Sequence, residues 1–244
     1  MPAAPRPRRR LGAALQAALG GRADAGRALE GRAPGAGLFA SDARARVFQA
    51  LLDRPLTHLA GIARACRIAP PSAAWQLKVL EGRGLVQRAR NGRQVRFQVT
   101  GTVDESSREV LQALRAPHAQ ALLAAVVDSP GLTLTQIARE LRTSPQSAIR
   151  AKAPLIALGL VETLADGRIR RTYPADKLPR FLAERTASLP AAYLRVEAAL
   201  RAAGESAQVT RRARGVVAFQ VGQRGARREF LLRADGPLRP PARR

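Results

Sequence analysis

The chain has 244 residues and a formal charge of +24, from 42 Lys and Arg against 18 Asp and Glu; a surplus of that size repels basic partners and attracts a polyanion. A single cysteine, Cys66, excludes an intrachain disulfide and fits a reducing cytoplasm, and no run approaches the roughly 20 apolar residues of a membrane helix. With only His58 and His118 beside that thiol, no metal-ligand spacing and no nucleophile-base set can be assembled, so no cofactor and no enzymatic activity are expected.

In chain order, residues 1–40 come first, with seven Arg against Asp24 and Glu30 among many Gly, Ala and Pro. Leu11, Leu15 and Leu19 are spaced as one helical stripe, but the composition is that of a basic, largely flexible arm. The opening apolar stretch is mostly alanine and holds Gln16, which is not the hydrophobic region of a cleaved signal. Next, Val47, Phe48, Leu51 and Leu52 form a helical stripe that ends before Asp53-Arg54-Pro55. Leu59, Ile62 and Ala63 mark a short second helix, and Pro70 opens a third that turns Ala73, Leu77 and Leu80 inward and stops at Gly84. LVQRAR and RQVRFQV then flank Asn91-Gly92, a strong hairpin signal.

The same series returns 75 residues later. From Ala50 to Arg96 against Ala125 to Arg171, 18 of 47 positions are identical without a gap, among them Pro55/Pro130, Ile62/Ile137, Pro70/Pro145, Leu80/Leu155, Gly84/Gly159 and Gly92/Gly167. Each unit holds its own apolar sets, so two small domains are expected rather than a solenoid. The copies differ at Leu77 and Val79, replaced by Lys152 and Pro154. An interior proline costs about 3 kcal/mol, so the second copy's third helix is expected to kink or restart near Pro154. Further on, Pro190 is read as the start of a helix that gathers Tyr193, Val196, Ala199 and Leu200, and Val217, Phe219, Val221, Phe230 and Leu232 alternate as in a half-buried hairpin.

Three helices with a sharp connection between the last two, then a hairpin, make a winged helix-turn-helix. The expected fold is therefore mainly α with small β-hairpin wings (α+β). Its parts are a basic arm over 1–40, winged domains over 41–104 and 105–178, a C-terminal helix and β-hairpin over 179–236, and a basic tail over 237–244. The third helix of such a domain enters the major groove while the hairpin tip reaches phosphates. On that geometry the expected DNA-binding residues are Ser72, Trp75, Gln76 and Lys78 on the first helix, and Arg88, Arg90, Arg93 and Arg96 on its wing. In the second copy they are Ser147, Arg150 and Lys152, with Arg168, Arg170 and Arg171.

The segment SAAWQLKVLEGRGLVQRARNGRQVRFQVT is similar to the ArsR-type transcription regulators, whose third helix and wing run S-x-x-x-x-LKVL-x-x-x-GLV-x-x-x-x-x-GR-x-V-x-F/Y-x-L. The likeness covers about 41–104 and is more generally ArsR/MarR-like over 111–178; in architecture the chain resembles the tandem winged-helix regulators of archaea. This implies sequence-directed control of transcription on double-stranded DNA, in the cytoplasm at the nucleoid and away from membranes. Metal-sensing members of the family carry a cysteine pair before the turn, where this chain has only Cys66, so metal sensing is not expected. Two units in one chain imitate paired half-sites, or a homodimer doubles one competent unit; the sequence leaves both open. The rival functions are a nonspecific nucleoid-architectural protein and a tandem winged-helix scaffold for protein partners, the latter opposed by the charge.

Overall fold

The computed structural model describes residues 37–91, 94–116, 118–222 and 227–236. The expected arm lies outside these residues up to Ala36, and so does the tail from 237 on. The architecture is α+β, with eight α-helices and three small antiparallel sheets among the described residues.

After a single 3-10 turn at Leu38–Ala40, α1 spans Asp42–Asp53 and buries the stripe Val47, Phe48, Leu51 and Leu52. It ends where Pro55 forbids continuation. Helix α2 spans Leu59–Cys66 and closes on Arg67 in the left-handed region. Helix α3, Pro70–Gly82, starts on its proline and buries Ala73, Leu77 and Leu80. Strands β1 (Val86–Asn91) and β2 (Gln94–Val99) form a hairpin in which Asn91 opposes Gln94. A helix absent from the sequence reading follows, α4 at Glu105–Ala113, whose N-cap Asp104 accepts a 2.7 Å bond from the Ser107 amide.

The second series is α5 (Ala119–Asp128), β3 (Leu132–Thr133), α6 (Leu134–Glu140), α7 (Pro145–Ala157), β4 (Val161–Asp166) and β5 (Ile169–Pro174). The repeat of the sequence is a repeat of the backbone: α7, β4 and β5 begin and end 75 residues after α3, β1 and β2 (70 to 145, 86 to 161, 94 to 169). Positive φ angles recur in step, 52° and 50° at Arg67 and Arg142, 71° and 67° at Gly84 and Gly159. Even the bridge Thr57↔Phe97 has its counterpart in Leu132↔Thr172, where it has grown into strand β3.

Two expectations about proline are corrected. Helix α7 runs unbroken through Pro154 to Ala157. Pro154 sits in the last turn, so it removes only the bond to the carbonyl of exposed Arg150, while its own carbonyl still accepts from Leu158 N at 3.1 Å. Helix α8 spans Lys177–Ala202 and passes through Pro190 instead of starting there. Ahead of that proline it already buries Leu178, Phe181 and Leu189, and at about 1.5–3 kcal/mol each their burial outweighs a cost of about 3.

The C-terminal hairpin proves to be part of a three-stranded sheet, β6 (Ala207–Ala213), β7 (Val216–Val221) and β8 (Arg228–Arg233), in the order β6-β7-β8. Its expected alternation holds, with Val217 opposite Leu232 and Phe219 opposite Phe230. Where the sequence named no packing partner for it, the structure supplies one: this face closes on α1 and the end of α8. Phe39, Phe48 and Phe230 meet at ring separations of 4.9–5.2 Å, and Tyr193 stacks edge-on against Phe219 at 5.3 Å. One core thus joins residues 38–99 to 189–232, and a second gathers residues 110–181 with Leu56 and Ala89.

Candidate nucleic-acid interface

Helix α3 is held by one face and shows the other. Ala73, Leu77 and Leu80 are at most 1% exposed, while Ser72, Trp75 and Lys78 stand exposed on the opposite side. Trp75 is 37% exposed, unusual for a lone tryptophan. Gln76 is half-buried instead, and its Oε1 accepts from Arg44 Nε of α1 at 2.9 Å. It therefore ties α3 to α1 and is not a free outward group.

On the first hairpin the arginines divide. Opposed residues of an antiparallel pair share a face, so Arg88 and Arg90, opposite Phe97 and Val95, lie on one face, and Arg96, opposite Ala89, on the other. Arg88 donates to both oxygens of Glu81 at 2.6 and 2.8 Å, a fork-on-fork pair that raises its pKa chiefly through that hydrogen bond. Arg96 is turned back on the protein, donating to Leu56 O at 3.1 Å and Gln94 Oε1 at 2.9 Å, and burial lowers its pKa. Arg90 is exposed and in no ion pair among the described residues. Arg93 lies outside the described residues.

The second copy has fewer groups to offer. Ser147 is used in the cap of α7, its amide donating to Ser144 Oγ at 3.2 Å. Lys152 is half-buried and donates to Thr163 Oγ1 at 3.3 Å; burial, then Arg170, lowers its pKa. Arg171 donates to Asp166 at 2.7 Å and to Gly131 O at 3.2 Å. Arg150, Arg168 and Arg170 remain exposed. The structure so keeps Ser72, Trp75, Lys78, Arg90, Arg150, Arg168 and Arg170 available, and engages Gln76, Arg88, Arg96, Ser147, Lys152 and Arg171 within the protein.

One group that shapes this surface was not foreseen. Glu81 neutralises Arg88; its position on the last turn of α3, just ahead of the hairpin, was the available signal. His58, at the N-cap of α2, makes no capping bond, and burial followed by Arg96 and Arg64 pushes its pKa below the ordinary histidine value. Among the described residues no group of three or more His, Cys, Asp or Glu is placed to hold a metal ion, and no helix is long and apolar enough to cross a membrane.

No protein-family model and no curated protein matches this chain. Among solved structures it is similar to ScpB from Mycobacterium tuberculosis, at 18% identity and a TM-score of 0.24, over 58% of this chain and 95% of that one. It is also similar to the DIP2311 protein from Corynebacterium diphtheriae, at 19% identity and a TM-score of 0.21, over 54% of this chain. The match spans about a quarter of the DIP2311 protein, 26% of its length. At these TM-scores the likeness is remote, and the fold stands on the element order and strand registers alone.

Proposed function

We propose that this chain is a sequence-directed, DNA-binding transcriptional regulator made of two winged helix-turn-helix units, working at the nucleoid in the cytoplasm without a cofactor or a catalytic step. The first unit spans 41–104 and the second 105–178. Helix α3 enters the major groove, about as wide as a helix, and presents Ser72, Trp75 and Lys78 to the base edges. The β1–β2 hairpin sets Arg90 on the adjacent phosphates. Helix α7 and its hairpin add phosphate contacts through Arg150, Arg168 and Arg170.

One observation carries the reading. The exposed side of α3 bears a hydroxyl, an indole and an ammonium, while its other side is pinned by three side chains at most 1% exposed. Groups meant to discriminate bases need such rigid placement. Selection from random duplex oligonucleotides tests it. A recurrent motif is expected, and a duplex carrying it should outcompete random DNA by roughly 10³-fold at physiological salt. Tight binding that returns no motif makes the protein architectural, with phosphates supplying the affinity. Failure to bind duplex at all leaves the scaffold for protein partners.

A further inference from the structure

Beyond the two hairpins of the repeat, the chain has a third with an arginine tip. Strands β6 and β7 join through Arg214-Gly215, closed by the pair Ala213↔Val216, with Gly215 at φ 73°. Toward the base of β6, Ala207 and Val209 pack on the core; beyond them Arg211, Arg212 and Arg214 are all exposed.

A register shift sets where these arginines point. Val209 opposes Phe219 but Arg211 opposes Ala218, so Thr210 is an extra residue, a β-bulge. Arg212 then lies opposite Val217, which faces the core, and Arg211 on the reverse face beside Ala218. With Arg214 in the turn, guanidinium groups project from both faces and the end of one rigid tip. Glu229, across the sheet, accepts from Thr210 at 3.2 Å, and among the described residues no ion pair is formed to Arg211, Arg212 or Arg214. Arg201, near the end of α8, is bound to Glu197 at 3.1 Å.

We propose that this tip is a third phosphate-binding hairpin, in which Arg211, Arg212 and Arg214 contact the backbone of duplex DNA. The inference rests on the reading above and extends it beyond the repeat. The run from Thr210 to Gly215 is Thr-Arg-Arg-Ala-Arg-Gly. It has no large apolar side chain to insert into a lipid surface, and no aromatic or aliphatic anchor of the kind that carries protein interfaces. Exposed guanidinium groups suit phosphate, which they bind through paired N–H donors.

The experiment measures affinity of the full chain for one duplex by fluorescence anisotropy over a range of salt. It compares the wild type, R211Q/R212Q/R214Q and a control, R180Q/R227Q, whose arginines are exposed elsewhere. The triple variant is expected to flatten the slope of log K against log salt by about 2–3, at about 0.9 for each phosphate no longer neutralised, with the control unchanged. If the triple variant also melts at lower temperature, R214Q alone is read, with an expected flattening of about 0.9. A wild-type slope in the triple variant overturns the third hairpin and leaves the proposed function standing. An equal loss per charge in the control overturns it too, since bulk charge then explains the effect. A wild type that does not bind duplex overturns both.

Discussion

Helices α3 and α7 both start on proline, run 13 residues and are followed two residues later by a left-handed glycine, yet they bury different faces. In α3 the buried set is Ala73, Leu77 and Leu80; in α7 it is Ala148, Ala151 and Leu155. At 100° per residue the centre of the buried face has turned by about 30°. The turn puts Lys152 half inside, where the first copy has Leu77. Outside, the contrast is larger: where α3 shows Trp75, Lys78 and Ser72, α7 shows Ile149 and Ile156, each 42% exposed, around Arg150. A duplicated unit keeps what its backbone and core require, and its outward face is free to diverge. Only the first copy retains several groups there that can hydrogen-bond a base edge.

The likeness of the two copies is challenged most directly at the matched core position. Leu80 and Leu155 are both fully buried, so Leu80→Ala and Leu155→Ala should each destabilise the protein by about 2–5 kcal/mol in urea titration. A much smaller cost in one copy would mean that the two interiors are not equivalent. The lysines probe the difference outside. Lys78→Ala should flatten the salt slope of DNA binding by about 0.9. Lys152→Ala should leave that slope alone and cost about 0.5–1.5 kcal/mol through its lost bond to Thr163. Glu81→Gln, acting on a pair with no counterpart in the second copy, should release Arg88 and steepen the slope by about 0.9, at a stability cost under about 1 kcal/mol.

The smallest expected effect lies at the N-caps of α2 and α6. Thr133 forms a complete capping box with Gln136, whereas His58, its counterpart, caps nothing. His58→Thr should add about 1 kcal/mol. The sign of its pH dependence follows from the lowered pKa. The unfolded chain binds the proton first, so stability falls as pH drops below about 6.5, the unfolded value, until the folded value is passed. Thermal melts between pH 7.5 and 5 should show that loss diminished in the threonine variant.

Much of this was legible because it was written in residues that constrain the backbone. Pro70 and Pro145 open helices, Gly84 and Gly159 hold positive φ, and Asp166-Gly167 turns a hairpin. Such effects are local and survive without tertiary context. Most of what was missed depended on distant partners. Pro190 read as a helix start because the partners that bury Leu178, Phe181 and Leu189 lie elsewhere in the chain, whereas Pro154 is tolerated for a local reason, its place in the last turn. Helix α4 escaped because ESSREVLQA brings only Val110 and Leu111 to the core. Strand β6 escaped because its arginines hide the alternation. The engagement of Gln76 was invisible, since Arg44 stands 32 residues before it.

The shared core of α1 and the C-terminal sheet sets an order of assembly on the ribosome. Gln49 exchanges hydrogen bonds with Leu231 across 182 residues, and Phe39 and Phe48 remain uncovered until Phe219 and Phe230 have been made. Closing that loop costs about 1 kcal/mol more than closing one a quarter as long. The second copy, by contrast, holds all its core side chains by Phe181. Nascent chains ordinarily mature from the N-terminus onward; here the later copy can reach its native packing first, while the earlier one waits, its phenylalanines exposed, for β7 and β8.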